Sequence, residues 1–275
     1  MYTLNCKGRL LVLDKPVVMG ILNITPDSFY SGSRVEQTDV LQKAGQMIDE
    51  GATILDIGGQ STRPGSDRLT AAEELDRVLP VIKIIKENYP SVFLSIDTYH
   101  ATVAKETVAA GVDLVNDISA GDMDANMLST VASLNVPFIA MHMQGTPDTM
   151  QDKPTYDNIV KEVVDYFIQK TAACKAAGIT DLIIDPGFGF GKTITHNFQL
   201  LKQMEALQMF HVPVLAGLSR KSTIWKTLQV TPEEALNGTT VLNTIALTKG
   251  ASILRVHDVK EAVEAIKLYE AYSNA

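Results

Sequence analysis

Near-continuous apolar runs rich in Val, Ile and Leu recur along this chain, and almost every one stops at a charged or amide side chain. The stops are Asn23, Asp56, Asp97, Asn116, His142, Asp185, the Ser219-Arg220-Lys221 triplet and Arg255. Runs of this kind, without polar alternation, read as strands buried on both faces, and the amphipathic stretches between them are long enough to form helices. Eight such units predict an α/β protein, a single-domain (β/α)8 or TIM barrel, whose active site gathers at the C-terminal ends of the strands. A doubly wound open sheet shares the alternation but concentrates its ligand groups at one switch point. In either fold the polar residues that stop the runs are candidate site residues.

Helix signals fall between the runs. One helix is expected from Thr38-Asp39 to Glu50, and another over 71–88 behind a Thr70/Glu73 capping box. The pattern continues with helices over about 101–110, 125–134, 156–177, 196–209, 232–249 and 259–271. Segments 25–36, 60–69, 144–155 and 186–195 are rich in Gly, Pro, Ser, Thr and Asp. As loops that follow strands, they are expected to carry the function.

Size supports one barrel, because 275 residues lie close to the roughly 250 typical of that fold. A composition of 45% hydrophobic and 20% charged residues is that of an ordinary globular domain. The net charge of -8 and a pI near 5.1 argue against nucleic acid and anionic membranes as partners. Any anionic ligand then needs a local cluster of cations. No run approaches the roughly 18 apolar residues of a membrane span, and the first residues lack a signal peptide's apolar core, so a cytoplasmic location is expected. Cys6 and Cys174 are isolated in sequence, which leaves no disulfide framework or thiolate zinc site and makes both packing residues.

The most specific motif is the segment 185–193, directly after the run Leu182-Ile183-Ile184. It is not a Walker A loop, because Gly187 and Gly191 enclose three residues where that motif needs four, and Lys192 stands where a dinucleotide GxGxxG would need its last glycine. What remains is a carboxylate at a strand end, then a glycine loop that lets backbone and the rings of Phe188 and Phe190 approach a flat ligand. The plainer alternative is an aspartate that caps a turn above core rings. Ser61-Thr62-Arg63-Pro64-Gly65 could hold an anion, although loops of this composition are usually only loops. Arg220 and Lys221, followed by Ser222 at the next helix start, suit an oxyanion or carboxylate as well as they suit a solvated pair. Strand alternation aims Arg255 and His257 the same way, a spacing that can clamp a phosphate. Asp97, Asn116 and Asp185 together offer the charge, donors and acceptors that a heterocycle bearing N–H and amino groups requires. Asp113 and Asp117 read as structural, and His142 as a packed strand residue ahead of a catalytic one. With no HExxH or similar spacing, a Mg²⁺ that arrives with phosphate oxygens is more credible than a permanent zinc.

These strings, in order, resemble the dihydropteroate synthases over about residues 17–265. The matching segments are 19–29, 56–65, 95–98, 116–117, 141–145, 185–192, 219–222 and 255–258. The resemblance implies a pterin-binding barrel, homodimeric and sulfonamide-sensitive, that uses Mg²⁺. Its reaction would condense 6-hydroxymethyl-7,8-dihydropterin diphosphate with 4-aminobenzoate, giving 7,8-dihydropteroate and diphosphate in folate synthesis. Carried over by position, Asp97, Asn116, Asp185 and Lys221 would hold the pterin. Asn23, Thr62, Arg63, Arg255 and His257 would hold diphosphate, with Asn23 also on the metal. Thr62, Pro64, Phe190, Lys221 and Ser222 would surround the aminobenzoate. Asp97, Lys221, Arg255 and His257 would form the catalytic set.

Two departures stand out. Tyr30-Ser31-Gly32-Ser33 replaces the family's usual Ser-Asp-Gly-Gly, which removes a carboxylate expected in the closing loop, and Gln60 replaces a glutamate. A pterin-dependent methyltransferase would share the pterin-edge groups but has no diphosphate to bind, and a non-catalytic pterin-binding barrel would not need intact phosphate motifs. Arg63, Lys221, Arg255 and His257 favour the synthase.

Overall fold

The computed structural model describes residues 1–24, 34–60, 68–147, 149–150 and 154–275, with only the backbone of 34–38. Eight parallel strands form its sheet: β3 (Val17–Asn23), β4 (Ile54–Gly58), β5 (Phe93–Asp97), β6 (Leu114–Asp117), β7 (Phe138–Met141), β8 (Leu182–Asp185), β9 (Leu215–Ala216) and β10 (Ile253–Val256). They pair in the order β8-β7-β6-β5-β4-β3-β10-β9, and a single parallel bridge between Ile184 and Val214 joins the two ends into a barrel. The expected fold is therefore present. The run over 212–218 yields only a two-residue strand, because Pro213 has no N–H to give a ladder. Its carbonyl still accepts from the Ile184 N–H at 3.0 Å.

Alternation along the strands sets what lies inside. Met19, Ile54, Leu114, Ile139, Ile183, Leu215 and Ile253 fill the barrel, while Val18, Leu55, Leu94, Val115 and Leu254 pack outward against the helices. Two residues further along the same strands the interior turns polar: Ile54 leads to Asp56, Leu114 to Asn116, Ile183 to Asp185 and Ile253 to Arg255. A period of two thus stacks a polar layer on an apolar one.

A hairpin that the apolar runs do not announce precedes the barrel. Its strands β1 (Tyr2–Cys6) and β2 (Arg9–Leu13) pair antiparallel, and Lys7 and Gly8 turn between them with φ of 51° and 90°, as a two-residue hairpin of primed type requires. Lys-Gly is a weaker turn signal than Asn-Gly or Asp-Gly, so the hairpin is easily missed in sequence. Leu4, Cys6, Leu11 and Leu13 join the same apolar cluster as the barrel interior, and this closes the end opposite the strand C-termini. Asp113 ties the hairpin down: it accepts from Arg9 at 3.1 Å, Lys86 at 2.7 Å and the Leu94 N–H at 2.9 Å. Asp113→Ala strands the buried Leu94 N–H and unpairs the partly buried Arg9 and Lys86, and is expected to cost about 2–4 kcal/mol. A shift in urea midpoint worth less than about 0.5 kcal/mol would show that the anchor contributes little.

The helices largely follow the expected spans, with shifted ends. They are α1 (Arg34–Asp49), α2 (Ala71–Asn88), α3 (Ala101–Ala109), α4 (Met127–Leu134), α5 (Ile159–Ala177), α6 (Ile194–Lys202), α7 (Ser222–Leu228), α8 (Leu236–Thr248) and α9 (Val259–Ser273). The first begins at Arg34, ahead of the Thr38-Asp39 signal. The fifth begins only after Asn158, whose side chain accepts from the Lys161 N–H. Thr193 caps α6 through the His196 N–H, so that helix starts before His196 and gives way to a 3-10 turn over Met204–Phe210. The expected 232–249 helix divides into a 3-10 turn, Glu233–Ala235, and α8. The short α7 opens at Ser222, the helix start expected after Arg220 and Lys221.

Candidate active site

Six polar side chains converge at the C-terminal mouth of the barrel. Arg255, on β10, lies between two carboxylates: its Nε donates to Asp56 Oδ2 and an Nη to Asp97 Oδ2, each at 2.6 Å. Asp56 also accepts from the Asn116 amide at 3.0 Å, and its other oxygen has no partner among the described residues although Asp56 is fully buried. Burial pushes Asp97 up to about 7; Arg255 opposes the shift, and Asp56 adds to it. For Arg255 burial works the other way, but the two carboxylates outweigh it and raise its pKa.

Across the mouth, Asp185 at the end of β8 accepts from the Gly187 N–H at 2.7 Å. Burial raises its pKa and Lys221 counters. Lys221 reaches in from the start of α7, donates to the Phe188 carbonyl and stands 4.7 Å from the centroid of the Phe190 ring. Burial lowers it to about 8. Gly217 lies beneath the pair, and a Cβ there would sit 3.6 Å from Lys221 Nζ and 3.9 Å from Asp185 Oδ2. Two further neutral donors, His257 and Ser219, border the mouth, and burial, then the Arg255 charge, pushes His257 down to about 4. His257 Nδ1 lies 3.0 Å from Ser219 Oγ, which also accepts the His257 N–H at 3.1 Å.

Several expected site residues therefore meet, and others do not. Asp97, Asn116, Asp185, Lys221 and Arg255 share one cavity mouth. Asn23, exposed at the end of β3, belongs beside them: a Cβ on Gly58 would lie 3.4 Å from Asn23 Oδ1 and 3.6 Å from Asp97 Cβ. Thr62, Arg63 and Pro64 lie outside the described residues, as does the 30–33 departure. Of the two phenylalanines only Phe190 faces the site, because Phe188 is fully buried in the layer between barrel and helices. Arg220 is not an open cation. It adopts φ 51° and turns to Asp258 with two bonds of 2.8 and 2.9 Å, and to the carbonyls of Pro232 and Glu233. Ser222 is the first residue of α7 rather than its cap, which is Lys221.

Sequence reasoning gave Asp56 no role although it ends a run, and only its contacts with Asn116 and Arg255 reveal one. It also passed over Ile118, Met141 and Met143, which cluster with Tyr99 and Phe190 beside the polar layer and carry no polar signal to find. Asp113 lies at the opposite end, and Asp117 caps its own turn through Ser119 and Gly121, as a structural reading of both requires. His142 is buried against Lys192.

The geometry can be set beside known proteins. Residues 19–257 match the family model described as pterin binding enzyme. The dihydropteroate synthase of Escherichia coli K12 is 44% identical over 272 residues, which cover 98% of this chain and 96% of that one. The chain belongs to the dihydropteroate synthase family. Among solved structures of that family, the Yersinia pestis enzyme in a sulfonamide complex superposes with a TM-score of 0.94 at 43% identity, covering both chains in full. The Xanthomonas albilineans enzyme, in complex with 7,8-dihydropteroate, gives 0.88 at 37% identity and covers 99% of each chain. The polar layer described above is thus carried on the family's barrel along its whole length.

Proposed function

We propose that the chain is a dihydropteroate synthase, which joins 6-hydroxymethyl-7,8-dihydropterin diphosphate to 4-aminobenzoate and releases diphosphate. The observation that carries this reading is the meeting of Asp97, Asn116, Asp185 and Lys221 at one barrel mouth, in a chain of this family. Carboxylates and an amide suit the N–H and amino edge of a pterin, and the lysine suits its carbonyl side. Breaking the C–O bond to diphosphate leaves positive charge on the pterin methylene. The amine nitrogen of aminobenzoate then forms the new C–N bond and loses a proton. Such a step needs a nearby anion and a stabilised leaving group more than a strong base. Asp97 supplies the first, and Arg255 favours its ionised form. Arg63, Arg255 and His257 serve the second, with Thr62 beside them. Phe190 and the stem of Lys221 flank the aromatic ring, and Pro64 and Ser222 border its site.

Asn23 offers an oxygen to Mg²⁺, and no group of three acidic, His or Cys residues that could hold a metal ion by itself occurs among the described residues. That fits an ion that takes most of its oxygens from diphosphate, and it would neutralise charge on the leaving group.

A homodimer is part of the same reading: Val241 and Ile245 on α8, half or more than a third exposed, and Leu228 at the end of α7 offer an apolar face. No described helix is long and apolar enough to cross a membrane, and two free buried cysteines suit a reducing cytoplasm. Sulfonamides, as analogues of aminobenzoate, would compete at its site.

The test follows diphosphate release and dihydropteroate formation together, with pterin diphosphate and Mg²⁺, with and without 4-aminobenzoate. Stoichiometric appearance of both products only in its presence is the expected result. Tight pterin binding by a folded protein without dihydropteroate would overturn the reading in favour of a methyltransferase or a binding module.

A further inference from the structure

Lys192 ends the glycine motif, and no contact with either substrate is assigned to it. It is 4% exposed. Its Nζ lies 2.9 Å from His142 Nδ1, 2.9 Å from the Gly187 carbonyl, 3.0 Å from that of Phe190 and 3.3 Å from that of His142. Each partner is an acceptor for the N–H groups of Lys192, provided that His142 carries its proton on Nε2. Burial, then the Lys192 charge, pushes His142 down to about 2, so the ring is neutral and does not compete for protons.

The carbonyls that Lys192 gathers bracket Phe188 and Gly189. Phe188 supplies the carbonyl that receives Lys221, and Phe190 supplies the ring beside it. This segment has an unusual shape, with Gly187 at φ +69° and Gly189 at +84°. A Cβ on Gly187 would lie 1.9 Å from the His142 carbonyl. Inside the segment one backbone bond is recorded, from Phe190 N–H to the Gly187 carbonyl at 3.1 Å, while Asn197 holds the Gly189 N–H at 2.8 Å. The shape therefore depends on side chains that reach into it.

We propose that Lys192 is a positioning residue of the active site: with neutral His142 it clamps residues 187–190 in the form that seats Lys221 on Phe188 and stands Phe190 against it. The inference deepens the reading of this cavity as a pterin and aminobenzoate site, and rests on it. Burial lowers the pKa of Lys192 well below the usual lysine range, and Asp185 opposes that shift; when protonated, Lys192 joins Lys221 and Arg255 in favouring the ionised form of Asp185. Asp97 and Asp185 repel across the same space, and His196 also feels Lys192 from α6.

Lys192→Met keeps the length of the side chain and removes its charge and donors. At pH 8 the variant is expected to raise the KM for 4-aminobenzoate roughly tenfold or more while pterin diphosphate affinity stays within about threefold, since a displaced wall costs orientation. As pH falls, its pterin affinity should fail at a higher pH than in the wild type, because Asp185 loses a stabilising cation. His142→Asn, which offers a carbonyl oxygen near the Nδ1 position, should keep the aminobenzoate KM at least about fivefold closer to wild type than His142→Leu. An unchanged KM and an unshifted acid limb in folded Lys192→Met would overturn the proposal. So would a loss of activity that merely tracks the unfolded fraction. If Lys192→Met does not fold, equal behaviour of the two His142 variants overturns it. A wild type that makes no dihydropteroate would count against the proposed activity instead; titrations of the same variants with pterin diphosphate and 4-aminobenzoate would then decide on the clamp.

Discussion

Arg255→Ala should lower kcat/KM for dihydropteroate formation by about three orders of magnitude, as expected for the loss of a principal charge-stabilising group. It should also destabilise the fold. Asp56 is fully buried and shares the guanidinium with Asp97, so alanine leaves two carboxylates facing one another with only the Asn116 amide between them. Removing one partner of a buried ion pair typically costs about 3–5 kcal/mol. The two consequences separate in a double variant. Asp56→Asn in the Arg255→Ala background relieves the repulsion and should recover much of the stability, read as urea midpoint, without recovering turnover. If turnover returns with stability, Arg255 acts only through folding, and its assignment to the leaving group fails.

Lys221→Ala should be as severe in rate, by about two to three orders of magnitude, yet nearly silent in stability. The ammonium is desolvated, which lowers its pKa to about 8, and Asp185 offsets only part of that cost, so alanine also removes an unfavourable burial. Asp185 keeps the Gly187 N–H and the fields of Arg255 and Lys192, so it is not stranded. The sign of the pH effect follows: Lys221 is a cation below about 8 and loses its proton above it. Wild-type kcat/KM should therefore fall as pH rises through that region, and the residual activity of Lys221→Ala should lack this basic limb. A variant that keeps both near-normal turnover and the limb would remove Lys221 from the site.

The fold was legible because the eight runs are strands buried on both faces, where hydrophobicity is nearly continuous and the stops stand out. That argument reached Asn23, Asp97, Asn116, Asp185 and Arg255 directly. It failed where the signal is short or where meaning depends on distant partners. The hairpin strands are five residues each and turn on Lys-Gly. Arg220 and Lys221 are adjacent in sequence with equal charge, and only the fold assigns one to Asp258 and the other to the cavity. Phe188 and Phe190 divide in the same way, since backbone direction in a glycine-rich segment cannot be read from composition. Asp56 looked like any other stop until Arg255, 199 positions away, proved to be its partner.

The apolar layer that fills the barrel, with the hairpin beneath it, also governs traffic. The polar layer above it is the floor of a shallow cup, and ligands enter and leave at the C-terminal rim. On the assignment proposed here, the layer of Asp97, Asn116 and Asp185 is the bottom shelf, and Phe190 and Ser222 stand nearer the door. On that assignment a guest on the bottom shelf is expected to come in first, with the one seated at the door barring its exit, an order that would come from the architecture.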